Sequence, residues 1–222
     1  MPTLSELQAA RGTWRISQGP MSECVRWGNF PTYGQKLGQH VNSLPSVIMF
    51  VKSALTRLGN FDWALIYECA HLHDHGEPLT GGDEHDGNKT QDKEIREYRA
   101  FRDVVSIEGE QLQTAKMMAF LLPYVRRTKW WSEFSLQDQK IVRQLATTHH
   151  REAIVFELIE RMDYVFSGLE GYQLGITNEA ETMLSHVLRN QVPKLNALTA
   201  ELKVLTQVWG LELSQELLTL ES

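Results

Sequence analysis

The chain has 222 residues, of which 42% are hydrophobic, and its formal net charge at pH 7 is -6. This length and hydrophobic content suit one large globular domain with a full core, so we expect a single domain over residues 1–222. The negative charge argues against a nucleic-acid polymer as partner, because such binding needs a basic surface that displaces counterions from the phosphates.

The sequence also predicts where the protein is found. It contains no apolar run of about 18 residues and no apolar core of a signal peptide, which predicts a cytoplasmic protein without a membrane partner. The two cysteines, Cys24 and Cys69, are too few for a disulfide framework and lack the spacing of a metal site. We therefore expect two reduced thiols.

The spacing of apolar residues predicts helices in the first half of the chain. Glycine and proline interrupt the first 39 residues, and only residues 4–10 favour a short helix there. Residues 40–58 place their apolar side chains on one helix face, and a second helix is expected at residues 61–76. Proline and glycine then predict a polar loop at residues 78–88, which is the best candidate for a mobile lid.

The second half of the chain also favours helices. Ser135 and Asp138 have the spacing of an N-cap residue and its third-position partner, which predicts a helix toward residue 147. No segment alternates apolar and polar residues with period two, so the predicted fold is all α. The other predicted helices cover residues 92–101, 111–124 and 152–169, and two amphipathic stretches from residue 179 onward flank Pro193.

The helix predicted at residues 61–76 carries ionisable side chains where its apolar face should continue. Trp63, Ile66, Tyr67 and Ala70 have the spacing of a buried helix face, and the same stripe continues into His73, Asp74 and Glu77. An unpaired buried carboxylate costs on the order of several kcal/mol, so hydrogen bonds, opposite charge or a metal ion must satisfy this group.

His40 favours the metal interpretation. If the two helices pack antiparallel across their short connection, the imidazole of His40 lies beside His73 and Asp74. Imidazole and carboxylate ligands suit one divalent ion, and Mn, Co, Fe, Zn, Ni and Mg all stay open as its identity. A further ligand is then expected from a later helix.

Nearby residues have simpler interpretations. His71, His75 and His85 are interpreted as alternative ligands of the metal ion or as pH-sensitive groups. The acidic residues at 83–88 lack the residue order of an EF-hand, which favours a solvated lid over a calcium site. The pair at residues 130–131, Trp-Trp, is interpreted as packing at a helix junction or a subunit interface.

Two sequence segments resemble the HD-domain metal-dependent phosphohydrolases, and specifically the bacterial 5'-deoxynucleotidases of the YfbR type. HDHGEPLTGGD at residues 73–83 resembles the HD-x-x-E-x-x-x-GD segment of that family, and REYRAF at residues 96–101 is similar to its following helix. The resemblance covers an HD core at about residues 26–171, followed by C-terminal helices at residues 179–222. It implies a single-domain bundle of helices.

The resemblance implies a set of metal ligands. His40, His73 and Asp74 match the first three, and Glu160 stands where the family usually has an aspartate. Asp163 lies one turn later on the same helix face, so the spacing leaves both acids open as the fourth ligand, with Glu160 favoured.

The same resemblance implies catalytic and substrate-binding residues. Glu77 would orient or deprotonate the attacking water or protonate the leaving oxygen, with Asp83 as its partner. Two departures bear on these roles: Gly82 occupies the place of the family's loop aspartate, and Gln39 stands where a glutamate commonly precedes the first histidine. Substrate contacts are implied for Arg26 on phosphate, Trp27 on base or sugar, and Lys89 or Lys93 on phosphate from the loop.

The resemblance implies a nucleotide phosphohydrolase, most specifically a 5'-deoxynucleotidase that releases phosphate from deoxynucleoside monophosphates. A deoxynucleoside triphosphohydrolase of the dATP type is the alternative within the same helical core. A non-catalytic nucleotide-binding HD module is a further alternative, against which the retained Glu77 argues. We expect a small-molecule nucleotide as substrate and a homodimer or higher homo-oligomer.

Overall fold

The computed structural model describes Gln8 and residues 20–26, 36–55, 59–82, 89–173 and 177–202. Within these ranges the chain is helical and forms no β-strand, and an isolated bridge pairs Val25 with Lys36. The predicted all-α fold is therefore confirmed. No helix in the described ranges combines the length and apolar character that crossing a membrane requires.

Seven long α-helices and two 3₁₀ segments follow one another in the described part. The α-helices are α1 (Leu37–Leu55), α2 (Trp63–Leu72), α3 (Gln91–Val105), α4 (Glu110–Leu121), α5 (Leu136–Thr148), α6 (His150–Gln173) and α7 (Thr177–Glu201). The 3₁₀ segments Leu122–Arg126 and Thr128–Glu133 connect α4 to α5. Of the helix predicted at residues 4–10, only Gln8 is described, and it is helical; the chain beyond residue 202 lies outside the described residues.

Helix α6 is at the centre of the arrangement. It contacts α1, α2, α7 and the first 3₁₀ segment. Its predicted inward residues Val155, Leu158 and Ile159 are fully buried, and Phe156 on another side is buried as well. Because α6 is covered on several sides, polar groups on it are removed from water and must find partners within the protein.

The predicted helix at residues 61–76 is wrong at its end, because α2 stops at Leu72. The backbone N–H of His73 closes the last helical turn on Cys69 O, and the N–H groups of His75 and Glu77 then donate three residues back, to Leu72 and Asp74. The acidic and imidazole groups therefore lie on a hydrogen-bonded turn after the helix rather than on its buried face.

Gly76 explains why this turn replaces the helix. A Cβ atom at residue 76 would lie 2.4 Å from the backbone oxygen of Glu97, so the turn packs directly on the backbone of α3. Only glycine permits this approach. Gly82 ends the turn with φ +113°, a conformation that side chains disfavour, and its carbonyl accepts from Lys93 Nζ at 2.5 Å.

Two further boundaries differ from the sequence prediction. The helix predicted at residues 111–124 ends at Leu121, because Pro123 lacks a backbone N–H and the chain tightens into the 3₁₀ segment. Conversely, α7 continues through Pro193 as one helix. Its side chains Gln191 and Leu195, on both sides of the proline, are buried, so packing outweighs the lost hydrogen bond.

The predicted cap at Ser135 is confirmed and belongs to a larger network. Ser135 Oγ accepts from the backbone N–H of Asp138 at 3.2 Å and donates to Oδ2 of Asp138 at 2.8 Å. Oδ2 of Asp138 also accepts from Tyr98 Oη at 2.7 Å and from Arg102 Nε at 2.6 Å. This buried carboxylate therefore ties α3 to the start of α5.

Replacing Gly76 with alanine should destabilise the protein, because the added methyl group meets a backbone oxygen that cannot turn away. We expect a loss of about 1–3 kcal/mol in the free energy of unfolding, measured by urea denaturation. Gly38→Ala is the matched control, since its Cβ would meet Met21 O at an ordinary 3.4 Å. Equal effects of the two substitutions would contradict the close approach at Gly76.

Candidate metal site and cavity

Three of the predicted ligands converge where α1, the end of α2 and α6 meet. His40, His73 and Asp74 each offer a ligand atom within 4.8 Å of the other two. Nε2 of His40 lies 3.3 Å, and Nε2 of His73 lies 3.0 Å, from Oδ2 of Asp74. Two imidazoles and a carboxylate thus point to one place.

The remaining ring nitrogens are held by other groups. Nδ1 of His73 donates to the carbonyl of Ala70 at 3.1 Å, and Nδ1 of His40 lies 2.8 Å from Oδ2 of Asp163. These contacts fix the ring orientations and leave Nε2 of each ring facing the other ligands. Metal-binding histidines are usually oriented in this way.

Asp163 orients the ring of His40. Burial raises the pKa of its carboxyl group, but His40, Arg26 and Ser43 outweigh burial and hold the pKa below the usual range. The ionised group can only accept, so Nδ1 of His40 donates to it. Its Oδ1 accepts from Ser43 Oγ at 2.8 Å, and its Oδ2 also lies 3.0 Å from Nη2 of Arg26.

Glu160 lies close to the ligand group of His40, His73 and Asp74. Its Oε1 is 3.7 Å from Nε2 of His73, and its side chain lines the cavity. It does not belong to the compact three-residue group. Of the two acids that the spacing left open, Asp163 supports His40 and Glu160 faces the space beside His73. The assignment of Glu160 as fourth ligand stays a prediction.

The electrostatics of the ligand group favour a cation. Burial lowers the pKa of His73, but Asp74 and the nearby Glu160 outweigh burial and raise this pKa to about 9. The Asp74 pKa is lowered well below the usual value, since His73 and His40 outweigh its burial. Nε2 of His73 is buried, and its 3.0 Å contact with Oδ2 of Asp74 lacks the geometry of a hydrogen bond. This set of nitrogen and oxygen donors fits a divalent ion.

A second charged group lies beside the first. Lys89 Nζ is 2.6 Å from Oε1 of Glu77 and 2.7 Å from Oε2 of Glu97. Burial lowers the pKa of Lys89, but the two carboxylates outweigh burial and raise this pKa well above its usual value. Lys89 therefore stays charged inside the protein, between the predicted proton-transfer residue and an acid of α3.

Both groups line a cavity that is open to solvent. Arg127, Tyr124, Arg161 and Tyr164 form other parts of its wall. Arg127 Nη1 donates to Oε1 of Glu94 at 2.8 Å, and its guanidinium lies 5.6 Å from the centre of the Tyr124 ring. The cavity thus combines the ligand group with cations that carboxylates or aromatic rings hold in place.

The predicted substrate-binding residues Arg26 and Lys93 have different surroundings. Arg26 lines the cavity but is buried, and its guanidinium contacts Asp163 and, at 3.1 Å, Ser167 Oγ. Lys93 contacts the Gly82 carbonyl and is not part of the cavity lining. The substrate contacts of Arg26 and Lys93 stay predictions. Trp27 and Asp83 lie outside the described residues.

The neighbouring histidines belong to a separate contact. His71 and His75 have ring centres 5.2 Å apart, and neither joins the compact ligand group. Burial, with the charges of His71 and His73, lowers the pKa of His75 to about 3, so this ring is neutral. It packs against Phe101. His85 lies outside the described residues.

Sequence reasoning did not identify the roles of Glu94, Glu97 and Arg127. The two acids are spaced i, i+3 on α3, which places them on one helix face, and this spacing was the available signal. Glu97 is buried beside Tyr98 and Phe101, at a position where an apolar residue is expected. Arg127 has no such signal, because its place at the cavity depends on the 3₁₀ segments.

Comparison with known proteins assigns no family. No family model matches the chain, and neither the search of curated proteins nor the search of solved structures finds a match. The functional argument therefore depends on the cavity itself.

Asp163→Asn should weaken metal binding, because the neutral amide no longer holds the His40 ring with Nε2 facing the other ligands. We expect the affinity for Mn²⁺ or Co²⁺, measured by calorimetry, to fall about 10- to 100-fold. Asp62→Asn is the matched control, since Asp62 lies near His149 (3.8 Å) outside the cavity and asparagine also caps helices. Unchanged affinity in Asp163→Asn would contradict the orienting role.

Proposed function

We propose that this protein is a metal-dependent phosphohydrolase of the HD-domain type that releases phosphate from deoxynucleoside 5'-monophosphates. The convergence of His40, His73 and Asp74, with the outer nitrogen of each ring hydrogen-bonded, carries the proposal. A structural histidine cluster has no need of two inward Nε2 atoms beside an ionised carboxylate. The choice of monophosphates rests on the sequence resemblance.

His40, His73 and Asp74 would hold the ion, with Glu160 as the fourth ligand. A bound divalent ion would supply positive charge at a phosphoryl oxygen and lower the pKa of a water molecule. The place of Glu160 beside His73 and the engagement of Asp163 elsewhere support this ligand set. Asp163 would accept from Nδ1 of His40 and so keep Nε2 directed toward the ion, without binding the ion itself.

Glu77 is the proposed proton-transfer group, and Lys89 the proposed phosphate partner. Glu77 lines the cavity one turn from Asp74, so it can orient or deprotonate the attacking water or protonate the leaving oxygen. The ammonium of Lys89 beside Glu77 can neutralise an incoming phosphate. Asp83 as a partner of Glu77, Trp27 as a stacking residue and Lys93 as a second phosphate contact stay part of the proposal.

Product analysis tests the proposal. The purified protein is incubated with Mn²⁺ or Co²⁺ and separately with each deoxynucleoside monophosphate and triphosphate. We expect metal-dependent release of phosphate from monophosphates, and a loss of about 100-fold or more in His73→Ala and Glu77→Ala. His149→Ala, a histidine outside the cavity, should keep full activity. Tight nucleotide binding without any product would instead indicate a binding module.

A triphosphate substrate is the second candidate, and Arg127 favours it. This residue places a guanidinium in the cavity wall, and Glu94 and Tyr124 hold it in position. Its side chain is 35% exposed, so unlike Arg26 it is accessible to a ligand. A monophosphate held by the proposed ion and Lys89 would not need Arg127, whereas the further phosphates of a triphosphate would lie within its reach in the same cavity.

Arg127→Ala distinguishes the two candidates. If triphosphates are the substrate, kcat/KM for them should fall about 10- to 100-fold, as expected for the loss of a charge-assisted bidentate contact. Values for monophosphates should stay within about twofold. Arg96→Ala is the control, because Arg96 pairs with Asp92 on the exposed side of α3. Equal losses for both substrates would remove the reason for preferring triphosphates.

A further inference from the structure

Glu97 is a buried acid to which the proposed reaction has so far given no role. It lies in the middle of α3, is 3% exposed and lines the cavity. A carboxylate in such a place is unfavourable unless a partner compensates for the lost water. Lys89 is that partner, with Nζ 2.7 Å from Oε2 of Glu97.

Lys89 is shared between Glu97 and Glu77. Its side chain has many conformations in water, and a single exposed ion pair would not restrict them. Here Nζ lies between two buried carboxylates, at 2.6 Å and 2.7 Å. Contacts on two sides fix the position of the ammonium, which one carboxylate alone would not do.

The backbone fixes the distance between the two acids. Gly76, the neighbour of Glu77, packs directly on the carbonyl of Glu97. The turn that carries Glu77 and the helix that carries Glu97 therefore cannot move apart without losing this contact. This backbone contact therefore holds the two acids at a fixed separation around the ammonium.

Charge supports the same arrangement. Burial, together with the charge of Glu77, raises the pKa of Glu97 to about 8 against the opposing effect of Lys89. Lys89 is the group that opposes this rise, and the two form a full ion pair once Glu97 ionises above about pH 8. Oε1 of Glu97 has no hydrogen-bond partner among the described residues, so the contact with Lys89 is the main polar contact of this side chain.

We infer that Glu97 is a positioning residue, which holds the Lys89 ammonium beside Glu77 at the place where the substrate phosphate enters. This inference rests on the proposed function. Without Glu97, one of the two contacts that place the ammonium is lost, so Lys89 no longer keeps a fixed position beside Glu77. Loss of Glu97 should therefore lower kcat more than it raises KM.

The first test measures how strongly the protein restrains the Lys89 ammonium, and it needs no enzyme assay. Lysines of the metal-loaded protein are acetylated with limiting acetic anhydride, and mass spectrometry gives the rate at each site. Glu97→Gln should raise the rate at Lys89 about tenfold, the equivalent of one charge-assisted hydrogen bond. Glu108→Gln is the matched control, because Glu108 is another buried acid paired with a lysine, Lys116. An unchanged rate at Lys89 would overturn the inference.

The second test is a double-mutant cycle on turnover. Glu97→Gln should lower kcat about 10- to 100-fold with little change in KM, and Glu97→Asp, which keeps the charge, should recover part of the loss. In a Lys89→Ala background the same change should have less than about a twofold effect, since Glu97 acts through Lys89. Losses that add in both backgrounds would indicate a merely structural role and overturn the inference.

The two tests separate this inference from the proposed function. If the wild-type protein releases no product from any nucleotide, the phosphohydrolase proposal fails, whereas the labelling rates still decide whether Glu97 holds Lys89. If product forms but the cycle shows no coupling, the function stands and the role of Glu97 is lost. Glu108→Gln should leave kcat within about twofold of wild type.

Discussion

The buried carboxylate of Asp163 joins three parts of the chain. It accepts from His40 and Ser43 of α1 and pairs with Arg26, which precedes α1, while Asp163 itself belongs to α6. A charge in the protein interior is tolerated only with such partners, so this contact orients His40 and adds to the apolar packing of α1 against α6. The ligand group depends on this contact, because a rotated His40 ring would no longer direct Nε2 toward Asp74.

The second charged group follows from the way α2 ends. The turn after Leu72 packs against the backbone of α3 through Gly76 and brings Glu77 to Lys89 and Glu97. The cavity therefore has one side built on α1 and α6, where the proposed ion would bind, and another built on α3, where the proposed phosphate would bind, and the turn after α2 contributes to both.

Much of the fold was predictable from the sequence, because α1, α5 and α6 follow from apolar spacing and from a local cap. The end of α2 was not, since it depends on contact between Gly76 and Glu97, which no local pattern reveals. For the ligand group, the sequence supplied His40, His73 and Asp74, but the i, i+3 spacing of Glu160 and Asp163 could not separate them. Their different partners do: Asp163 contacts α1, and Glu160 approaches His73.

The contact between His40 and Asp163 joins residues that are 123 positions apart in the chain. Closing so long a segment costs conformational entropy that local contacts do not repay, so such contacts form late in folding. During synthesis, α1 and α2 leave the ribosome well before α6. A nascent chain that ends before α6 has both histidines but lacks Asp163 to fix the ring of His40, so the proposed ion site would be complete only after the second half of the protein has been made.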